Sequence, residues 1–213
     1  MLVQSITVGP FQENCYLVAD PAAGEAVLVD PGDHASKILA AVEASGCAVR
    51  AIWLTHAHID HVGAITPVKR VHDVPVYLHP LDRPLYDRAL EQGLYYGIRI
   101  EPLPAPDREL AEGDVLAFGA LSFNVIHVPG HAPGHVAFVG QGVVFGGDCL
   151  FMGSVGRTDL PLSDPRALER SLERFSTMPE ETVVYPGHGP ATTIGAENRT
   201  NPFLTGAVRL IKR

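Results

Sequence analysis

The segment Thr55-His56-Ala57-His58-Ile59-Asp60-His61 holds four groups that can ligate a metal within six residues. Imidazole nitrogen and carboxylate oxygen suit Zn²⁺, Fe or Mn, and no thiolate set accompanies them. Four donors are too many for one tetrahedral ion that must also keep a water. They make sense divided between two ions. In an extended segment His56 and His58 point to one side, and Asp60 continues that side. His61 falls where a helix is expected to begin.

Three later groups share this setting. His131 follows the apolar run Phe123 to Val128 through Pro129-Gly130, and Asp148 follows Val143 to Phe145 through Gly146-Gly147. His188 follows Thr182 to Tyr185 through Pro186-Gly187. Each lies just past an apolar strand in a glycine-containing loop. Sites assembled on loops at one edge of a rigid scaffold are built this way. We assign His56, His58 and His131 to one ion and Asp60, His61 and His188 to another, with Asp148 bridging. Two ions ~3.5–4 Å apart can share a hydroxide near neutral pH. His135 is expected in an outer layer or in packing. Asp30 either orients a ligand histidine or forms a turn before Pro31. Tyr95 and Tyr96 are expected in the core rather than on a cleft.

The elements that must position these groups can be read from pattern. Val3 to Val8, Cys15 to Ala19, Ala26 to Val29 and Val49 to Leu54 read as strands, the last buried on both faces. Lys37 to Ala44 reads as a helix stopping at Ser45-Gly46. A helix is expected after His61, then Pro67 to His72, a strand Val76 to Leu78, and a helix Leu81 to Leu90. Glu101 to Asp107 reads as a proline-rich linker. Asp114 to Phe118 pairs with Leu121 to Val128, and Val136 to Val139 with Val143 to Phe145. Pro165 to Phe175 is a helix capped by Asp164. Thr182 to Tyr185 is a final strand, and Asn201 to Arg213 a terminal helix. Each half is a run of strands followed by helix, which packs as two central sheets with helices outside.

Composition narrows the class. The 213 residues are 46% hydrophobic, enough for one sizeable core. A formal charge of −8 argues against a general nucleic-acid surface. Cys15, Cys47 and Cys149 cannot all pair and form no CxxC, as expected of reduced thiols. There is no basic, apolar leader and no segment near the ~20 apolar residues of a membrane span. A soluble cytoplasmic protein is the expectation.

The motif set THxHxDH, His131 in PGHAPGH, Asp148 in GGD and His188 in PGHG resembles the metallo-β-lactamase superfamily, in that order along nearly the whole chain. Asn14 to Val18 and Val29 to Gly32 resemble its opening strands. The resemblance implies a four-layer αββα sandwich, residues 1–213 forming one such domain, with two divalent ions at one edge and the ligand division given above. Gly156-Arg157-Thr158-Asp159 and Gly187 to Pro190, with Thr192 to Gly195, Glu197 and Asn201 to Phe203, look like the short glyoxalase II-like hydrolases. Those act on thioesters such as S-lactoylglutathione, a small-molecule substrate. The expected mechanism is attack of a bridging hydroxide on the thioester carbonyl, with Asp60 holding an ion and orienting the nucleophile. Arg157 has the planar fork to pair with a substrate carboxylate.

Gly156 to Asp159 is also similar to persulfide dioxygenases, which use one iron. That rival would employ His56, His131 and Asp148. A lactonase of the superfamily is a second rival, whereas a β-lactamase is not expected without a signal peptide. Only 25 residues follow His188, so the helical C-terminal domain that helps longer glyoxalase II enzymes bind glutathione is expected to be absent.

Overall fold

The computed structural model describes residues 1–211. The chain opens with strands β1 (Leu2–Val8), β2 (Glu13–Asp20) and β3 (Glu25–Val29), then helix α1 (Ala35–Ser45) and β4 (Ala48–Trp53). Short helices α2 (Ile59–Val62) and α3 (Ile65–Val71) lead to β5 (Val76–Leu78). After a 3₁₀ turn at Pro80–Asp82 come α4 (Arg83–Tyr86), α5 (Ala89–Tyr96) and β6 (Arg108–Glu109). The second half contains β7 (Val115–Phe118), β8 (Leu121–His127), β9 (Val136–Gly140) and β10 (Val143–Gly147). A small hairpin, β11 (Leu150–Phe151) with β12 (Ser154–Val155), precedes α6 (Pro165–Ser176). β13 (Val183–Pro186), β14 (Thr192–Thr193) and α7 (Ile194–Thr200) follow.

Two six-stranded sheets result, ordered β1-β2-β3-β4-β5-β6 and β14-β13-β10-β9-β8-β7. Period-2 alternation in the strands sorts their apolar side chains into separate layers. On β2, Tyr16 and Val18 face the space between the sheets, where Trp53, Phe123, Phe138 and Phe145 also pack. Cys15, Leu17 and Ala19 turn the other way, onto Ile38 and Val42 of α1 and Ile65 and Val68 of α3. Beyond the second sheet, Ala137 and Val144 meet Leu168, Leu172 and Phe175 of α6. Three apolar layers between four layers of secondary structure make the αββα sandwich.

Local chemistry fixes the ends. α1 stops where Gly46 takes φ 66° and donates back to Glu43 O. α6 begins with Asp164 accepting the Arg166 N–H and Pro165 at its first position.

Strand direction decides where the site lies. β8 and β10 both run antiparallel to β9, and β10 runs parallel to β13. The ends of β8, β10 and β13 therefore share one edge. β3, β4 and β5 are parallel in the other sheet. β2 runs antiparallel to β3, so its beginning joins the ends of those strands.

Some expectations are corrected. The helix expected after His61 already begins at Ile59, so Asp60 lies in its first turn and not in an extended segment, while His61 stands at the helix start as expected. His58, extended at φ −70° and ψ 154°, is the N-cap residue, so the helical turn starts directly after it. Leu81 to Leu90 is not one helix: it is a 3₁₀ turn, α4 and the start of α5, with Pro80 and Pro84 each opening a new element. Residues 201–211 form turns, because Asn201 spends its side chain on Phe151 O, Ser154 O and Glu197 while Pro202 and Gly206 interrupt any helix. Lys212 and Arg213, the end of that expected helix, lie outside the described residues. β6, α7 and the β11–β12 hairpin had no anticipated counterpart, and Thr182 to Tyr185 is not the final strand, since β14 follows it and pairs with β13. No helix among the described residues is long and apolar enough to cross a membrane.

Candidate metal centre

The loops after β4, β8, β10 and β13 converge at one edge of the sandwich. His56, His58 and His131 bring one ligand atom each to within 4.8 Å of one another, and Asp60, His61 and His188 do the same. Asp148 stands between the groups. Its Oδ2 is 3.4 Å from His131 Nε2 and 3.5 Å from His188 Nε2, while Oδ1 is 3.5 Å from His61 Nε2.

Four of the five rings are held from behind, and the holding group fixes the tautomer. His131 Nδ1 donates to Arg157 O at 2.8 Å, and His188 Nδ1 donates to Phe11 O at 3.1 Å. Carbonyl oxygen only accepts, so both rings carry a proton on Nδ1 and direct Nε2 inward. His61 Nδ1 donates to Asp30 Oδ2 at 3.0 Å. The Thr55 hydroxyl gives its proton to Asp30 Oδ2 at 2.6 Å and is then free to accept from His56 Nδ1 at 3.0 Å. His58 differs, presenting Nδ1 2.8 Å from His131 Nε2.

Buried polar atoms normally have partners. Here His56 Nε2, His61 Nε2 and Asp148 Oδ1 are buried without one. All three point into the space between the groups, and nitrogen with carboxylate oxygen is a fitting donor set for borderline divalent metals. The residues fit an ion pair.

The electrostatics of the two groups differ. Burial holds His56 well below the ordinary imidazole value, and burial with the neighbouring His131 brings His58 down to about 3. Burial also lowers His131. These rings are neutral, with lone pairs available. In the other group burial opposes charge on His61, but Asp148 and Asp60 outweigh it and raise the ring well above its ordinary value. Burial likewise opposes charge on Asp148, yet His61 and His188 hold its carboxyl well below the usual range.

For His188 burial is again outweighed, by hydrogen bonds to Asp148 and Asp60, and the ring is held up to about 9. A folded value above the unfolded ~6.5 stabilises the metal-free protein fully below about pH 6.5 and loses that contribution as pH rises through about 9. The melting temperature of metal-free protein is therefore expected to fall across that window, with a shallower fall in His188→Gln. Identical pH slopes in the two proteins would contradict this.

Glycine is required at two closures. Gly147 has φ 49°, and a Cβ there would meet Thr55 Oγ1 at 2.5 Å and His135 Nε2 at 2.7 Å. At Gly187 a Cβ would overlap Asp148 Oδ1.

Of the outer residues, His135 is buried, stacks on His56 and accepts the Asp148 N–H at 2.9 Å. Asp30 both orients His61 and receives the Thr55 N–H at 2.7 Å. The Arg157 guanidinium is exposed and spent on Asp159, at 2.6 and 2.7 Å. Tyr95 and Tyr96 are not core: they are 83% and 43% exposed, and Tyr96 packs edge-on against Phe11 beside the centre. They stand on α5, whose inward side is already occupied by Ala89 and Gly93.

Sequence reading missed Asp82, Gln92 and Glu13. Asp82 is fully buried and accepts the Ala57 and Gly134 N–H groups. Burial pushes its carboxyl up to about 6 against those two bonds. Glu13 is buried 3.8 Å from His61 Nδ1. Asp82 follows a strand end as Asp148 does, a signal that could have been noticed. Gln92, in the middle of a helix, carried none.

Comparison with known proteins bears on the family and the fold. The family model described as the metallo-beta-lactamase superfamily matches residues 8–188. The hydroxyacylglutathione hydrolase GloC of Haemophilus influenzae is 35% identical over 96% of this chain and 98% of its own. The crystal structure of TTHA1623 in a di-iron-bound form is 53% identical, with TM-score 0.88 over 95% of this chain and all of that one. The crystal structure of BLEG-1 B3 metallo-beta-lactamase is 40% identical, with TM-score 0.90 over 96% of this chain and all of that one.

Proposed function

The chain belongs to the metallo-beta-lactamase superfamily, and from that membership and its centre we propose that it is a metal-dependent hydrolase cleaving thioesters of the hydroxyacylglutathione class. The observation that carries the reading is the pair of converging groups with Asp148 between them. The likeness to GloC supports the substrate class.

His56, His58 and His131 would hold one ion and Asp60, His61 and His188 the other, with Asp148 shared. A bound pair of divalent ions supplies hydroxide near neutral pH and polarises an acyl carbonyl. Zn²⁺ suits the donor set, and the di-iron form of TTHA1623 supports iron equally.

The protein's own residues prepare that chemistry. Neutral His56, His58 and His131 offer lone pairs without first losing a proton. Asp60 Oδ2 lies 3.2 Å from His188 Nε2 and remains 19% exposed, so it can orient an incoming water and accept its proton. Phe11 and Tyr96 form an apolar rim over which a thioester would enter. The leaving thiol ionises near ~8.5, so no strong general acid is needed. Arg157 can serve a substrate carboxylate only by giving up Asp159.

The test is S-lactoylglutathione hydrolysis, followed by release of free thiol, beside nitrocefin hydrolysis and oxygen uptake with glutathione persulfide. Thiol release that requires bound metal is expected. The likeness to BLEG-1 favours β-lactam cleavage as the second reading, and nitrocefin turnover without thioester turnover would replace the first by it. Oxygen uptake alone would replace both by the persulfide dioxygenase reading.

A further inference from the structure

The stretch from Ala57 to Ile59 separates the ligands yet belongs to no strand and enters a helix only at its end. Its backbone groups need partners from outside. One segment, the turn and helices between residues 80 and 96, supplies them. Asp82 Oδ2 accepts the Ala57 N–H at 2.8 Å, and Oδ1 accepts the Gly134 N–H. Ala57 stands between His56 and His58, and Gly134 is in the loop that carries His131. A single buried carboxylate thus ties together the two loops that form the first group.

Gln92 completes the hold from α5. Its Oε1 accepts the Ile59 N–H at 3.2 Å, and its Nε2 donates to Ala57 O at 3.4 Å and Leu85 O at 2.7 Å. The space is tight, since a Cβ at Gly134 would meet Asp82 N at 2.5 Å. The second group is held by other means: Asp30 behind His61 and Phe11 O behind His188.

We propose that Asp82 and Gln92 form a clamp on the ligand loops, acting as positioning residues for the ion held by His56, His58 and His131 and not for its neighbour. The proposal rests on the two-ion reading above. It also makes α5 a physical link between the rim, where Tyr96 stands, and the backbone beside His58.

Asp82→Asn keeps the size of the side chain but turns an amide N–H toward one of the two donors. Gln92→Ala removes the second hold at a half-buried position and serves if the first variant fails to fold. Two measurements are made on wild type and both variants: Zn²⁺ titration in competition with a chromogenic chelator, and amide hydrogen exchange of the metal-free protein.

Wild type is expected to bind two ions in separable phases. Asp82→Asn should weaken one phase by about 10–100-fold and spare the other, and Gln92→Ala should weaken the same phase by less. In the metal-free proteins, Asp82→Asn should speed exchange at Ala57 and Gly134, and Gln92→Ala at Ile59 alone. Equal weakening of both phases, or unchanged exchange at these amides, overturns the clamp. A wild type binding fewer than two ions overturns the two-ion reading instead, and the exchange measurement then decides the clamp by itself.

Discussion

Asp148→Ala is expected to lower thioester hydrolysis by about 10³-fold or more and to reduce the metal content below two ions per chain. This one carboxylate approaches His131, His61 and His188 within 3.4 to 3.5 Å, so it reaches both groups. Its loss removes the shared ligand and leaves Asp60 as the remaining carboxylate beside His61 Nε2 and His188 Nε2. Metal-assisted charge stabilisation is worth several kcal/mol, and each ~1.4 kcal/mol is tenfold in rate. Fold should survive, because the Asp148 N–H to His135 remains available. Wild-type turnover in this variant, measured with its metal content, would show that the groups do not act as one centre.

Asp30→Ala is expected to be the most destabilising change near the site. Asp30 is buried and takes three donors: Thr55 N–H at 2.7 Å, the Thr55 hydroxyl at 2.6 Å and His61 Nδ1 at 3.0 Å. Removal orphans buried donors at about 1–3 kcal/mol each. A loss of at least about 3 kcal/mol corresponds to a fall of roughly 6–12 °C or more in melting temperature for a chain of this size. The left-handed backbone at Asp30, φ 51°, adds to the sensitivity, since alanine is strained there. Asparagine tolerates that conformation and keeps an acceptor, so Asp30→Asn should lose less. Thermal melts of the metal-free proteins measure both, and an Asp30→Ala protein as stable as wild type would contradict the account.

The sandwich was legible in the sequence because its strands carry strong signals. Apolar runs ended by Gly, Pro and Asp located β2, β3, β4, β8, β9, β10 and β13 to within a residue or two. Asp164-Pro165 located α6, and Ser45-Gly46 the end of α1. The convergence of His56, His58, His131, Asp148 and His188 followed from one regularity, a ligand type just beyond an apolar strand.

What stayed hidden depends on distance in the chain. The 3₁₀ turn and the separate start of α4 follow from two prolines acting within one apolar pattern. α7 is seven residues long, and its Glu197 is buried against Thr192 and Asn201, a tertiary arrangement with no periodicity to read. Tyr95 and Tyr96 have core-like chemistry but stand on the outward side of a helix whose inner positions were already filled. Asp82 lies 25 residues from the Ala57 N–H that it accepts and 52 from the Gly134 N–H. Such pairings appear only once β4, β5 and β8 are aligned.

The central claim is a two-ion centre shared by two groups of ligands. Anomalous diffraction at the edge of the metal found in protein purified without added metal tests it most directly. The expected map has two peaks ~3.5–4 Å apart, one bonded to His56, His58 and His131 and the other to Asp60, His61 and His188, with Asp148 touching both. A single peak in metal-replete crystals, or two peaks that leave Asp148 unbonded, would contradict the account.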